Sequence, residues 1–590
     1  MADLLAIISR DRSRPVSVAD LLAAHESLRG PASFSQTVSA GWAEVIVLDR
    51  VAPPLAGTEA AGEGWVAWAG PLADPARAAA ALSELEGQFA LARLATDGAE
   101  LVVATDPLGM MPLFTAAAGD LTYFSTSALV LARALRTPPS KIGVERFLRT
   151  GTMFGQATPW EGVERLQPAE AVVFSPAGAR RETYWRPTVD AGIRSLGFDD
   201  CTAACVERGT EAFGRRYRGA HPWADLTGGF DTRLLTLITQ GAGVPFHANT
   251  VGDDGHDDVD IAAEIAAAAG WPWTRLGLPD DWAEVAPTRI DEAVAWGDGQ
   301  LEAMHLCNVI EGHREKAATE TMLLNGGGGE QFRDYAWGHE LWSANRSNQV
   351  HYDRLLAWRV LGPTDLSVFR EDPTPAVAAA LRAELEHRAE PFADAPNTFQ
   401  CDLLHALRNT GHFGAYQALA AGWVHMELPF YLKSVFSTAI SAQPRHRQFH
   451  RLMRAMDLAL DPRVAAIQTK TGGPAEPIGV ANLYRFTPYL WRRGKRFGSR
   501  LRGKVMGDGS KGDGEHVTER ERAFAATVAS LRAQGRLDPA QMRSAALFEP
   551  AALESMLERA EQAAIGVDWS MVGRIVTIEL ALAAADAGID

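Results

Sequence analysis

The sequence predicts an α+β N-terminal domain built as a β-sandwich, followed by an α/β doubly wound domain with a helical C-terminal part. Three observations lead there. Up to about residue 190, short apolar runs alternate with Gly, Pro and Asp turns, the texture of packed strands. From about 195, Ala/Leu-rich helical stretches alternate with short strands, which argues for a parallel sheet covered by helices. Near the start of that second region, Asp225-Leu-Thr-Gly-Gly-Phe-Asp-Thr-Arg233 breaks an apolar run into a Thr-Gly-Gly-x-Asp-Thr turn and then resumes with helical periodicity.

In order along the chain, Met1-Ala-Asp-Leu-Leu-Ala-Ile-Ile-Ser-Arg10 reads as a first strand, and Trp42–Leu48 and Leu101–Ala104 as further strands of the sandwich. Pro245–Val251 is the next strand of the second domain, and Val259–Gly270 is the helix after it. In such sheets ligands bind beyond the carboxyl ends of the strands, so the turn at 227–232 and the Gly-rich segment at 325–330 are both expected at that edge. After about 365 the chain reads as mainly helical. Gly507–Gly514 reads as a linker, and amphipathic helices are expected around Glu519–Gln534 and Pro550–Ala564. No internal repeat is found.

Composition narrows the class. A chain of 590 residues accommodates several domains. Its 47% apolar and 22% charged content excludes disordered and fibrous classes. The formal net charge of −16 argues against general binding of nucleic acid or anionic membrane. The start lacks the basic leader of a signal peptide, and no stretch reaches the ~20 apolar residues of a membrane helix, so a soluble cytoplasmic protein is expected. Cys201, Cys205, Cys307 and Cys401 are spaced for neither a disulfide framework nor a zinc site and are expected as reduced, packed thiols.

The turn at 227–232 has the composition of a pyrophosphate cradle. Gly228 and Gly229 let the main chain approach an anion closely, Thr227 and Thr232 add hydroxyls, and a helix starting near Asp231 points its positive end at the same charge. Asp231 is the expected ligand of the Mg2+ that accompanies ATP. This is not a Walker loop, because no Gly-Lys-Ser/Thr follows. The alternative on these residues alone is a β-turn that caps a helix.

The turn resembles the PP-loop of ATP pyrophosphatases, Ser-Gly-Gly-x-Asp-Ser, with Thr in both hydroxyl positions. The order of the chain from 1 to about 475 resembles the asparagine synthetase family. Leu85-Glu-Gly-Gln-Phe-Ala90, Ala104–Phe114, Phe147–Gly151, Gly162–Pro168, Tyr184-Trp185 and Leu428-Pro-Phe430 carry the resemblance. It implies an Ntn-hydrolase-like glutaminase domain over 1–190, an asparagine-synthetase-like ATP-pyrophosphatase (PP-loop synthetase) domain over 195–506, and a helical C-terminal extension over 515–590. The family's glutaminase nucleophile is a cysteine exposed by removal of the first methionine. Position 2 here is alanine and no cysteine precedes Cys201, so an inactive glutaminase domain is expected. β-Lactam synthetases and lasso-peptide cyclases share that loss.

The resemblance also assigns further residues. Asn325-Gly-Gly-Gly-Gly-Glu330 is similar to the family's second loop, so Gly327 and Gly328 are expected at pyrophosphate and Glu330 at metal and in catalysis. Gly329 stands where the family usually has aspartate, so Glu330 or a residue of the acidic loop 253–258 must supplement Asp231. Without the resemblance, 325–330 reads as a flexible glycine loop. Asn249, Thr250 and Gly252 are expected to contact the adenosine. Lys470, in Gln468-Thr-Lys-Thr-Gly-Gly-Pro474, is the expected catalytic lysine, a cation that offsets charge in acyl transfer; its alternative is a solvated lysine. Arg333 would offset phosphate charge. Asp257 or Asp258 is expected to cap the helix that follows.

Three readings follow. The favoured one is AMP-forming amide-bond synthesis through an acyl-adenylate, as in lasso-peptide macrocyclisation, on a small-molecule or peptide substrate. The others are an ammonia-dependent asparagine synthetase and a non-catalytic nucleotide-binding scaffold, the latter kept open by Gly329, the Thr-for-Ser changes and Arg233. A PP-loop enzyme acting on tRNA suits the basic run 492–504 but not the N-terminal domain. That run reads as a solvated loop or as a dock for a partner protein or leader peptide.

Overall fold

The computed structural model describes residues 3–60, 64–72, 81–253, 255–340, 343–344, 346–362, 364–487 and 517–589. The linker stretch 507–514 and the basic run 492–504 lie outside the described residues.

Twelve strands build the N-terminal layers: β1 Asp3–Ser9, β2 Phe34–Ser39, β3 Ala43–Asp49, β4 Ala56–Ala60, β5 Gly64–Ala69, β6 Ala90–Ala95, β7 Leu101–Thr105, β8 Phe114–Ala118, β9 Leu121–Ser125, β10 Val163–Arg165, β11 Glu170–Ser175 and β12 Gly178–Thr183. They form two six-stranded sheets, in the orders β10-β8-β9-β1-β3-β2 and β12-β11-β7-β6-β5-β4, with antiparallel pairing throughout. Strand β1 is buried along its whole length, as expected of a strand covered on both faces. Phe124 of one sheet meets Phe174 of the other edge to face at 6.0 Å, a favoured aromatic geometry. The helices Ala19–Arg29 and Ala128–Leu135 belong to the same core.

The second sheet system is parallel. Strands β13 Trp223–Asp225, β14 His247–Val251, β15 Trp273–Leu276, β16 Met322–Leu324 and β17 His425–Glu427 lie in the order β15-β14-β13-β16-β17, and every pairing is parallel. The order reverses between β13 and β16, the crevice where open α/β sheets bind ligands. The region after 365 is mainly helical, but it also supplies β17. Three buried residues are too few for a periodicity signal.

The helix Asp257–Ala269 departs from the expected capping. His256 is its N-cap, with Nδ1 accepting from the Asp258 N–H at 3.2 Å. The Asp258 carboxylate is drawn away to the turn at 227–232, where it finds a backbone N–H and an ammonium.

The two sheet systems interlock. Gln88 donates from Nε2 to Leu428 O at 2.7 Å and accepts the Leu428 N–H at Oε1, 3.0 Å. Two segments that carry the family resemblance therefore touch each other across 340 residues of chain. Asp298 accepts the N–H groups of Ala128 and Leu129 at 2.9 and 3.0 Å, so a residue of the second region satisfies donors at the start of a helix of the first. The helix Trp569–Ala585 belongs to this shared core too. Its Arg574 donates to Leu148 O at 3.0 Å, and its Thr577 accepts the Ala303 N–H at 2.8 Å. No described helix is long and apolar enough to cross a membrane, and all four cysteines are buried, free thiols.

Candidate functional site

The loops after β13 and β16 meet at the reversal of strand order. The helix Phe230–Gly241 begins at Gly229 with no side chain capping it, which leaves its positive end open to an anion. Thr227 and Thr232 close the turn on each other: their hydroxyls lie 2.9 Å apart, and Thr232 Oγ1 accepts the Thr227 N–H at 2.9 Å. Gly229 donates to Thr227 Oγ1 at 3.2 Å. Gly228 donates to Asp258 Oδ1 at 3.0 Å, and Lys470 Nζ donates to Asp258 Oδ2 at 3.0 Å. The Lys470 N–H also reaches Gly228 O at 3.0 Å, so Lys470 is held against the turn although it is far from it in sequence.

The loop that follows β16 is tightly packed, not flexible. A Cβ at Gly329 would stand 2.7 Å from the Asp231 Cβ. Glycine there lets the two loops approach, and an aspartate at this position would require a shift. Gly328 has φ +96° under the Tyr431 ring, and Gly327 lies against Phe413. Glu330 is buried and pins the loop: Oε2 accepts the Gly328 N–H at 3.0 Å, while Oε1 accepts Asn409 Nδ2 at 2.6 Å and lies 3.1 Å from His405 Nε2. Burial works against its charge, but the His405 hydrogen bond and the nearby Arg333 outweigh that and hold the carboxyl down to about 2. Burial pushes His405 below the usual histidine range, against the pull of the Glu330 carboxylate.

Asp231 is the opposite case. Arg333 Nη2 binds its Oδ2 at 2.6 Å, while Oδ1 is buried without a hydrogen-bond partner. Burial, with Glu330 adding to it, raises the Asp231 pKa against the pull of Arg333 and Lys470. An orphaned carboxylate oxygen beside an anion cradle fits a hard divalent cation. Among the described residues no group of three or more His, Cys, Asp or Glu side chains gathers as a metal cage. Water and phosphate oxygens would therefore complete such a coordination shell, the usual habit of magnesium.

Beyond the turn lies a cavity of about 530 Å³, lined by Thr227, Thr232, Asn249 and Thr250 at the sheet edge. Asn249 is 1% exposed and neither amide atom has a partner. Gly252 lies past the strand end, donating to Leu276 O at 3.1 Å. The far wall comes from the helix Ala303–Ala317, the segment His412–Tyr416 and Arg520. Sequence reasoning missed this wall, because its members share no spacing. A π-helical turn at Thr410–Gly414, a feature that recurs at functional sites, sets His412 into it.

Arg233 has a different part from the one the sequence suggests. It is fully buried and donates to Ile467 O at 2.9 Å and Gln468 O at 2.8 Å. Arg454 donates to Pro474 O and Glu476 O. Two buried guanidiniums thus brace the loop that bears Lys470, one of them on the helix that the Thr-Gly-Gly turn begins.

Residues 76–185 match the family model of a glutamine amidotransferase domain. The chain is also similar to asparagine synthetase [glutamine-hydrolyzing] 3 of Bacillus subtilis (strain 168), 24% identical over 201 residues that cover 32% of each protein. Both matches support the resemblance to the asparagine synthetase family, and the chain spans about a third of the length of that curated relative. Among solved structures, a glutamine phosphoribosylpyrophosphate amidotransferase from B. subtilis complexed with ADP and GMP overlaps 46% of this chain and 65% of its own, at 12% identity and a TM-score of 0.22. A structure described as the allosteric regulatory enzyme of purine biosynthesis overlaps 43% and 66%, at 11% identity and the same TM-score. Overlaps this loose carry no weight for the fold.

Proposed function

We propose that the chain is an ATP-dependent, AMP-forming amide ligase whose PP-loop is Thr227–Thr232. The observation that carries this reading is the orphaned Oδ1 of Asp231 beside an uncapped helix start at the reversal of strand order. The relative's name supports amide synthesis from a carboxylate.

In this reading the acid's carboxylate oxygen bonds the α-phosphorus of ATP, and pyrophosphate leaves with the bridging oxygen. An amine nitrogen then bonds the acyl carbon, AMP departs, and the nitrogen loses a proton. Magnesium, when bound, supplies charge to offset the leaving pyrophosphate, and Asp231 is the residue to hold it. Glu330, with both oxygens engaged by protein donors, holds the second loop in register. Lys470 supplies a cation where negative charge develops, the role of a preorganised donor in acyl transfer. Asp258 must release the Gly228 N–H and the Lys470 ammonium to the phosphates. The amine is one already present on the substrate, as in the β-lactam synthetases and lasso-peptide cyclases that the sequence resembles. The absence of cysteine from residues 1–200 supports that choice over glutamine-derived ammonia.

The Arg333 guanidinium on Asp231 favours one competitor, a nucleotide-binding scaffold without catalysis. Titration of Mg-ATP into the wild type and Asp231→Ala decides first whether the PP-loop works: magnesium-dependent binding in the wild type should fall at least about tenfold in the variant. Equal binding by both proteins would overturn the PP-loop assignment. Release of pyrophosphate with a screened acid then separates the ligase from the scaffold.

A further inference from the structure

The helix Arg451–Leu460 carries a buried acid that the ligase reading leaves unused. Its Leu452, Met453 and Met456 pack into one core with Phe230, Leu234 and Ile238 of the helix that the Thr-Gly-Gly turn begins. The same helix buries Asp457, which is 0% exposed with neither carboxylate oxygen in a hydrogen bond. Burying a carboxyl in that way is costly, and a core tolerates it where a nearby charge or internal water compensates. The nearby charges are Arg233 and Arg454. Burial raises the Asp457 pKa, and the two guanidiniums, Arg233 ahead of Arg454, pull it back. Seen from Arg233, Asp457 is the first carboxylate to support its charge, ahead of the exposed Glu264, while Arg454 opposes it. Arg233 Nε is also buried with no hydrogen bond. Two acceptors and a donor on neighbouring side chains fit internal water, which takes about three hydrogen bonds.

What the two guanidiniums hold is specific. Arg233 ties the carbonyls of Val464, Ile467 and Gln468, which precede Lys470, and Arg454 ties those of Pro474 and Glu476, which follow it. Arg454 is further confined over the Phe230 and Phe486 rings, at 4.9 and 5.0 Å, a cation–π setting. Both flanks of the lysine loop therefore hang from side chains whose like charges repel and share one buried acid.

We propose that Asp457 is a positioning residue: through buried water it sets Arg233 and Arg454, and through them the loop that presents Lys470 to the turn at 227–232. This rests on the ligase reading for what Lys470 does there, and on the packing alone for how its loop is held.

The test pairs hydrogen exchange of the full chain with titration of Mg-ATP. The proteins are the wild type, Asp457→Ala, Asp457→Asn, Lys470→Ala and the double variant Asp457→Ala/Lys470→Ala. Glu302→Gln, which alters a carboxylate packed against the helix Trp569–Ala585, is the control. In Asp457→Ala the amides of 466–476 should exchange at least about tenfold faster, while those of strands β1–β12 and the same loop in Glu302→Gln stay as in the wild type. Asp457→Asn, which keeps the shape and part of the hydrogen bonding, should show a smaller change in the same direction, and it decides the matter if the alanine variant does not fold. Mg-ATP should bind Asp457→Ala about fivefold more weakly. The double variant should bind it no more weakly than Lys470→Ala, because a residue that acts through Lys470 has no effect without it. The proposal is overturned if exchange over 466–476 is unchanged, if it rises together with that of the strands, or if the Asp457 effect on binding persists without Lys470. Should the wild type bind no Mg-ATP, the PP-loop reading falls, and exchange over 466–476 alone decides whether Asp457 holds the loop.

Discussion

Glu330 joins parts of the chain that lie 75 and 79 residues beyond it, through His405 and Asn409. A buried carboxylate with that many donors repays its desolvation. Its unperturbed value is 4.5 and its folded value about 2, so it stabilises the protein fully above 4.5, and that contribution is lost as pH falls from there to about 2. Glu330→Gln keeps the shape but loses the charge. It should lower stability by about 1–3 kcal/mol at neutral pH and flatten the acid limb of a stability-versus-pH curve measured by urea unfolding. An unchanged acid limb would mean that the pair does not titrate as the geometry implies. At this scale the sequence was legible where chemistry is local. Thr227, Gly228, Gly229, Asp231 and Thr232 announce themselves within six positions. Asp231's partner Arg333 is 102 residues away, and no spacing points to it.

Among elements, the start of the helix Asp257–Ala269 and the loop Gln468–Pro474 close on the same turn. Asp258 accepts from the Gly228 N–H and from Lys470, two donors that the proposed function gives to a phosphate. Asp258→Ala removes that competitor and should tighten binding of Mg-pyrophosphate about fivefold, the worth of roughly one hydrogen bond, as read by calorimetric titration. Weaker binding in the variant would show instead that Asp258 helps to form the cradle. The acidic loop read from sequence as a helix cap is an instance of a residue type with two uses. Carboxylates satisfy helix N–H groups by default, and only the neighbouring turn diverts this one. Arg233 was legible as an oddity and no more, because its carbonyl partners at 464, 467 and 468 become neighbours only after the chain has folded.

For the whole molecule, the alternation of strands and helices gave the two layer systems, since each is dictated by periodicity. Their mutual packing was not legible, because the buried face of Trp569–Ala585 is apolar nearly all round and names no partner. Buried side chains of that helix share one core with the N-terminal sheets and with the helices at 282–296 and 303–317. Removing residues 517–589 should therefore leave the remainder without a cooperative thermal transition, and largely insoluble, rather than trimming a peripheral appendage. A soluble truncated chain with native near-ultraviolet circular dichroism would contradict this.

The contact of Arg574 with Leu148, 426 residues apart, sets an order of events during synthesis. At about 5–20 residues per second, the helix Lys141–Thr150 emerges from the ribosome roughly 20–85 s before its partner is made. For that interval the helix Lys141–Thr150 can gain its contacts with Glu384 and Thr374 but not the cover of the last helix. Provisional packing, or a holding chaperone, is expected to protect the face that the last helix finally takes.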